Sequence, residues 1–267
     1  MLLNKLQQNW EELAQADPLW AICSDPTKRG RKWDEQEFFA TGEREIRTVL
    51  KYVQALDLQL DFSAPTLDFG CGVGRLTRAL AGQFSESWGV DISRTMIAKA
   101  RDLNRDVPNC RFLLNETDEL GALSDSYFGF IYSSIVLQHI GPRLVRKYLN
   151  ELVRVLKPGG VLVFQITDRF KASFARRLRL KLAVRRRILA LSGSWRPEFM
   201  YCMKEAQIRS ALACQGVQVC DVRLTNSAEP DFNGSLRFLN DEPGYGFVSK
   251  QYCVVKSRDS RIPGQHI

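Results

Sequence analysis

The chain has 267 residues, 45% hydrophobic and 25% charged, which is ordinary for a globular protein and enough for one good-sized core. No apolar run approaches the ~20 residues of a membrane-spanning helix, and the first residues lack the charged-then-apolar layout of a secretion signal. The seven scattered cysteines include no C-x-x-C pair, which argues against a zinc or redox motif, so we expect a reducing, cytoplasmic setting.

The net charge of +8 is concentrated in one segment. Between Arg169 and Pro197 lie ten Lys or Arg residues and no Asp or Glu. The rest of the chain has 28 basic residues (38 minus 10) against 30 acidic ones, a net charge of −2. The basic character therefore belongs to this segment and not to the whole fold.

Residues 1–60 are predicted to form helices ahead of a sheet. Asp17-Pro18 should end a first helix, and a later helix carries apolar residues at helical spacing, namely Ile46, Leu50, Val53 and Leu56. Between the two helices stand Trp33, Phe38 and Phe39. They favour either plain core packing against the sheet or a lid that excludes water from a ligand site.

From Pro65 onward the pattern alternates between strand and helix, which predicts an α/β fold with a parallel sheet. We place strands at 66–69, 87–91, 110–114, 128–133 and 160–166, and helices at 75–83, 93–103 and 142–156. A helix at 203–215 and strands at 217–224 and 247–256 should follow, separated by a loop at 226–246.

The turn after the first strand carries three glycines in five residues, Gly70, Gly72 and Gly74. Glycines at such a turn let the backbone approach a ligand at the helix N-terminus. The spacing is G-x-G-x-G and not the G-x-G-x-x-G of a dinucleotide fold, and Asp68 precedes the first glycine by two residues. A carboxylate there should repel a pyrophosphate and attract an ammonium or sulfonium group.

This stretch, Leu67–Thr77, resembles the first motif of class I S-adenosylmethionine (SAM)-dependent methyltransferases. Trp88–Ser93 is similar to the second motif and Leu156–Gly160 to the turn before strand five, so the resemblance covers residues 61–166. It implies a Rossmann-like, doubly wound, mostly parallel sheet with a C-terminal antiparallel strand pair. It also implies an N-terminal helical lid (1–60), a methyltransferase domain (61–256) with a basic helical insert (168–200), and a tail (257–267).

The same resemblance implies that SAM is the cofactor. Asp91, at the end of strand two, would accept both ribose hydroxyls, although it could instead cap the following helix. Ile92 and Met96 would line the adenine, with core packing as the alternative for Met96. Glu116 and Thr117 would meet the adenine amino group, or else form an exposed acidic loop. The full set of expected cofactor residues is Asp68, Gly70, Cys71, Gly72, Gly74, Asp91, Ile92, Met96, Glu116, Thr117 and Ser133.

His139 follows strand four, where the chain should face the acceptor. A histidine can take the proton that an attacking hydroxyl or amine loses, so we consider His139 a candidate general base. The alternative is a histidine that braces this turn through a hydrogen bond to the backbone. Residues 20–42 and 170–202, with Trp195 and Tyr201, are expected to shape the acceptor pocket.

The basic segment allows three interpretations: a solvated helix, a contact with anionic lipid through residues 169–191, or a groove for an anionic acceptor. The predicted function is transfer of a methyl group to an oxygen or nitrogen of a small-molecule, sugar or lipid-linked acceptor. An RNA- or protein-directed methyltransferase and a non-catalytic SAM-binding partner subunit remain as alternatives. We find no recognisable RNA-binding module, and the oligomeric state is not indicated.

Overall fold

A computed structural model describes residues 2–172, 200–213, 215–229 and 232–258. Most of the basic segment, with Trp195 and the interpretations that depend on it, lies outside the described residues. Within the described residues, every helix is too short or too polar to cross a membrane.

The N-terminal region is helical, as predicted, with helices α1 (Leu2–Ala16), α2 (Pro18–Ile22) and α3 (Glu35–Gln54) and a 3₁₀ turn at Pro26–Lys28. The break between α1 and α2 falls at Asp17-Pro18, because Pro18 cannot donate a helical hydrogen bond and Asp17 caps α2 by accepting from the Trp20 amide. Asp34 caps α3 in the same way, by accepting from the Glu37 amide at 2.9 Å.

The core of the protein is one eight-stranded sheet in the order β3-β2-β1-β4-β5-β8-β6-β7. The first five strands are parallel, whereas β8 is antiparallel to both β5 and β6. The strands are β1 (Thr66–Phe69), β2 (Ser87–Asp91), β3 (Cys110–Leu114), β4 (Phe128–Ser133), β5 (Leu156–Lys171), β6 (Val217–Thr225), β7 (Phe238–Leu239) and β8 (Gly246–Lys256). The predicted Rossmann-like sheet with closing antiparallel strands is therefore confirmed, with the two-residue β7 and a longer β5 as additions.

Helices cover both faces of the sheet. They are α4 (Arg75–Ala81), α5 (Arg94–Leu103), α6 (Pro142–Val155) and α7 (Glu205–Leu212), with a 3₁₀ turn at Leu137–His139. On one face, α3 and α4 bury Ile46 and Leu80 against Phe130. On the other face, α6 and α7 bury Leu149 and Ile208 with Phe164. The carboxyl ends of the five parallel strands lie together at one edge of the sheet.

The strand order reverses between β1 and β4, since β1 is followed along the chain by β2 on one side and flanked by β4 on the other. Ligands in open α/β sheets bind at such a switch point, beyond the carboxyl ends of the strands. The glycine turn after β1 and the segment after β4 both lie at this edge.

Candidate active site

The glycine turn after β1 is closely packed on both sides. Its three glycines have φ angles of 81°, 54° and 86°, which residues with a side chain rarely adopt. A Cβ on Gly70 would lie 2.2 Å from the Val136 side chain, and one on Gly72 would lie 2.4 Å from Ile22 of α2. The turn therefore depends on glycine for its backbone shape and for its close neighbours.

Asp91 ties the end of β2 to this turn. Its carboxylate accepts from the Gly72 amide and the Ser93 amide, both at 2.9 Å. Burial raises the pKa of Asp91, and these backbone hydrogen bonds partly offset the rise. The cap of α5 is Ser93, whose hydroxyl accepts from the Met96 amide, so Asp91 is not the helix cap.

Asp68 lies beneath the turn, 1% exposed, and accepts from the Thr77 hydroxyl at 2.7 Å. Burial raises the pKa of Asp68 to about 7, although the hydrogen bond from Thr77 acts in the opposite direction. Near neutral pH its negative charge is therefore partial, and the ionised form becomes more favourable when a cation approaches.

A cavity of about 50 Å³ lies beside the turn. Its walls include Gly70, Asp91, Ile92 and Asn115 from the strand ends and Leu6 and Trp10 from α1. Three of these, Gly70, Asp91 and Ile92, are cofactor residues expected from the sequence. Asn115 was not predicted from the sequence, because the motif that contains it was interpreted through Glu116. Leu6 and Trp10 were not predicted either, because the sequence does not show what the apolar face of α1 packs against.

Helix α1 is held over this cavity by three side-chain contacts. Glu11 accepts from the hydroxyls of Ser93 and Thr95, Gln7 donates to Glu116, and the Trp10 ring meets the His139 ring edge-on at 5.3 Å. Burial alone would raise the pKa of Glu11, but the hydrogen bonds from Ser93 and Thr95 lower it. Glu11 is therefore an ionised group at the start of α5, where a negative charge is favourable.

The remaining expected residues lie around the cavity and do not line it. Glu116 is on the rim, where Arg94 donates to both of its oxygens, and the Thr117 carbonyl accepts from Tyr148. Ser133 is buried and donates to the Phe69 carbonyl at 3.0 Å. The Cys71 thiol is buried, and burial raises its pKa well above the usual range, so it is neutral.

The aromatic residues before and within α3 pack in a buried cluster, which agrees with the first of the two interpretations that the sequence left open. Trp33, Phe38 and Met96 are buried in one cluster with Val73 of the glycine turn. They are thus core residues, and the core that they form rests directly on the turn.

The segment after β4 is held in a strained shape. Ile135 has a φ of 62°, which is unusual for a β-branched residue, and its amide donates to the Gln165 side chain at 2.9 Å. Gln138 and His139 follow, with their side-chain nitrogens 3.3 Å apart. The expected pocket residue Tyr201 contacts this segment through its backbone amide, which donates to the Gln138 carbonyl at 2.7 Å.

Residues 67–164 match the methyltransferase domain family. Among curated relatives, carboxy-S-adenosyl-L-methionine synthase of Chromohalobacter salexigens is 33% identical over 157 residues, which cover 54% of this chain and 58% of that protein. Malonyl-[acyl-carrier protein] O-methyltransferase of Salmonella typhimurium is 35% identical over 101 residues, covering 38% of each chain. The chain thus spans about half or less of the length of these relatives.

The fold is also similar to that of solved methyltransferases. Magnesium protoporphyrin IX methyltransferase from Synechocystis, solved with bound S-adenosylhomocysteine (SAH), is 18% identical and aligns with a TM-score of 0.55. The alignment covers 82% of this chain and 84% of that one. The alignment therefore covers a larger share of this chain than the matched family domain does.

Proposed function

Since residues 67–164 match the methyltransferase domain family, we propose that this chain is an enzyme that transfers a methyl group from SAM. The acceptor is an oxygen or nitrogen of a small-molecule, sugar or lipid-linked compound. The observation that carries the proposal is the link between Asp91 and the Gly72 amide, at 2.9 Å, on the wall of the cavity.

This arrangement suits a nucleoside with a positively charged thioether. Asp91 offers its remaining lone pairs to ribose hydroxyls, and Ile92 supplies an apolar surface for the base. Asp68 beneath the turn is stabilised in its ionised form by a nearby ammonium or sulfonium group. When bound, SAM supplies a methyl group on a good leaving group, so orientation can provide most of the catalysis.

Helix α1 is proposed to be the lid of the site. The cavity of about 50 Å³ is far smaller than the ~300–1,000 Å³ of typical ligand pockets. Leu6 and Trp10 form the part of its wall that belongs to α1. Outward movement of α1 would enlarge the site, and its return would exclude water.

His139 is the proposed proton acceptor, because its ring lies against Trp10 at the edge of the site. A positioned base contributes about 10²–10⁴-fold to such a step. His139→Gln is expected to lower kcat in this range while SAH affinity changes by less than about threefold. Unchanged turnover would mean that His139 only braces the turn.

The activity is tested by calorimetry and by labelled transfer. SAH should bind and NADH should not, and Asp91→Ala should weaken SAH binding more than ~10-fold, since a charge-assisted hydrogen-bond pair is lost. Label from methyl-labelled SAM should enter small molecules of a cell extract. Label found in RNA or protein instead would favour a macromolecular acceptor, and SAH binding without any transfer would indicate a non-catalytic subunit.

A second candidate function follows from the 157-residue match to carboxy-S-adenosyl-L-methionine synthase, the longer of the two curated matches described above. In that case the nucleoside would itself be modified. Mass spectrometry of the reaction separates the two, because methyl transfer yields SAH whereas modification yields a heavier SAM derivative.

A further inference from the structure

A group of buried polar side chains lies on the α3-facing side of the sheet, apart from the cofactor cavity. We call it the amide patch: Gln165, Gln251, Ser249, Thr225 and Ser227, all at most 3% exposed. Gln165 of β5 and Gln251 of β8 are direct cross-strand partners, and Ser249 shares the Gln251 face of β8. Polar side chains this deeply buried are unexpected unless they are hydrogen-bonded or meet a ligand.

Most of the patch is satisfied internally. The Gln165 amide donates to Gln138 at 2.9 Å and to Ser249 at 2.6 Å, and its oxygen accepts from the Ile135 amide. The hydroxyls of Ser249, Thr225 and Ser227 lie within 3.0 Å of one another. These hydrogen bonds connect four of the five side chains of the amide patch. The fifth side chain takes no part in them.

That member is Gln251, which is 0% exposed. Neither its Nε2 nor its Oε1 has a hydrogen-bond partner in the described part of the chain. One further buried atom without a partner there, Arg75 Nε, belongs to an element bordering this face, and the Ser134 hydroxyl lies beside Tyr132 at the same border. Leaving a buried polar atom unpaired costs ~1–3 kcal/mol, so several together in one region indicate a place for a polar ligand.

The patch is separated from the cofactor cavity by a single turn. Val136 lines that cavity, while the amide of the preceding Ile135 donates to Gln165. A group held at the patch would thus lie next to the carboxyl end of β4. The covering elements are α3 and the loop containing Gly234, whose Cβ position is 2.6 Å from Thr41.

The charges that border the patch are balanced. Arg75 is paired with Glu45 at 2.7 Å, and Arg223 is paired with Asp221 at 2.7 Å. Tyr132 and Tyr52 donate to these same carboxylates. Neither arginine is therefore a free cation for a carboxylate or phosphate, whereas a carboxamide both donates to and accepts from a hydroxyl group.

We propose that the amide patch, through Gln251, holds the methyl acceptor and that the acceptor is an uncharged, hydroxyl-bearing compound, as simple sugars and other polyols are. This inference rests on the proposed methyltransferase function and specifies its substrate class. Gln251 would make hydrogen bonds that an analogue without the hydroxyl could not replace.

The test uses the full chain, methyl-labelled SAM and a metabolite extract of the producing cells. Ion exchange at pH 7 divides the extract into neutral, anionic and cationic fractions. We expect label to enter the neutral fraction. Label in the anionic or cationic fraction alone would overturn the inference. Absence of transfer to every fraction, with SAH still bound, would instead refute the proposed function on which it depends.

Variants then assign the acceptor contact. Gln251→Leu should lower kcat/KM for the labelled acceptor about tenfold, through KM, and leave SAH affinity unchanged within about twofold. Its Tm should stay equal or rise, because an unpaired buried amide is removed. Ser134→Ala should lower kcat/KM for the labelled acceptor by a smaller factor. This second variant tests the same inference if Gln251→Leu does not fold. Undiminished transfer in both variants would contradict the inference.

Gln218→Leu is the matched control, since it makes the same exchange at an exposed glutamine of β6 in the same sheet. It should leave both turnover and SAH affinity unchanged. An equal loss of kcat/KM in Gln218→Leu would show that the effect is not specific to the amide patch. That result would overturn the inference.

Discussion

At the scale of single residues, Asp68 combines burial with a position under the glycine turn. A carboxyl with a pKa of about 7 changes its charge within the physiological pH range. Its Thr77 partner is compatible with either form, because a hydroxyl can donate or accept. The protonation state of Asp68 should therefore depend on the charge of the ligand bound at the glycine turn.

We expect SAM affinity to rise with pH. A bound cation favours the ionised carboxyl, so protonation of Asp68 opposes binding, and the dissociation constant should fall about tenfold between pH 6 and pH 8 for a pKa of about 7. Titration calorimetry across this range measures the change, together with the proton release that accompanies binding.

Asp68→Asn should bind SAM more weakly and without this pH dependence. The control is Asp106→Asn, because Arg78 holds the pKa of the exposed Asp106 down at about 2, outside the range. If the SAM affinity of Asp68→Asn still rose with pH, a group other than Asp68 would be responsible for the pH dependence.

At the scale of elements, α1 is attached to the site by a small number of polar contacts. Glu11 contacts Ser93 and Thr95 at the start of α5, and this attachment is the strongest because one carboxylate accepts from two hydroxyls. A helix held in this way can detach while the sheet remains intact.

Glu11→Ala is expected to free α1. SAH dissociation should become about tenfold faster or more, and the change in Trp10 fluorescence on binding should shrink, since the net contribution of a hydrogen bond to a charged group is ~1.5–3 kcal/mol. Stopped-flow fluorescence, with Trp10→Phe to identify the signal, provides the measurement. Glu12→Ala changes the adjacent, exposed glutamate and should behave as wild type.

Helices α3 and α4 are joined by the buried pair Glu45–Arg75, at 2.7 Å, to which Tyr132 of β4 also donates. Glu45→Gln leaves the Arg75 charge buried without its counter-ion, so the free energy of unfolding should fall by about 3–5 kcal/mol. Urea unfolding measures the loss.

Two variants make this prediction specific. Glu43→Gln, at an exposed position of the same helix, should change stability by less than ~0.5 kcal/mol. The double variant Glu45→Gln with Arg75→Met should recover much of the loss, because the unpaired charge is gone. Without such recovery, the effect would come from packing and not from charge.

At the scale of the whole molecule, the parallel half of the sheet was predictable from local patterns. The bounds of β1 to β4 agree with the predicted ones, because glycine turns and apolar runs mark each strand. The extension of β5 to Lys171 was missed, since it arises from pairing with β8 about 80 residues later. Pairing at that distance leaves no trace in the local sequence.

The site was predictable in part for the same reason. Gly70, Asp91 and Ile92 belong to local motifs, and the structure brings them together at the cavity. Trp10 and Gln251 come from distant segments, and neither has a motif. For Gln251 a weak signal existed, namely a polar residue directly before the apolar run Tyr252–Val255. Its lack of a partner is visible only in three dimensions.

The position of β8 has a consequence for how the protein is made. β8 follows β6 in the chain but lies between β5 and β6. While a ribosome is still synthesising residues 246–256, those two strands have no common neighbour, and β5 presents an open edge. A chain stopped at residue 245 should therefore aggregate or be digested by protease, whereas one stopped at residue 258 should not. Completion of the sheet, and of the wall that carries Gln251, is thus expected to wait for the synthesis of β8.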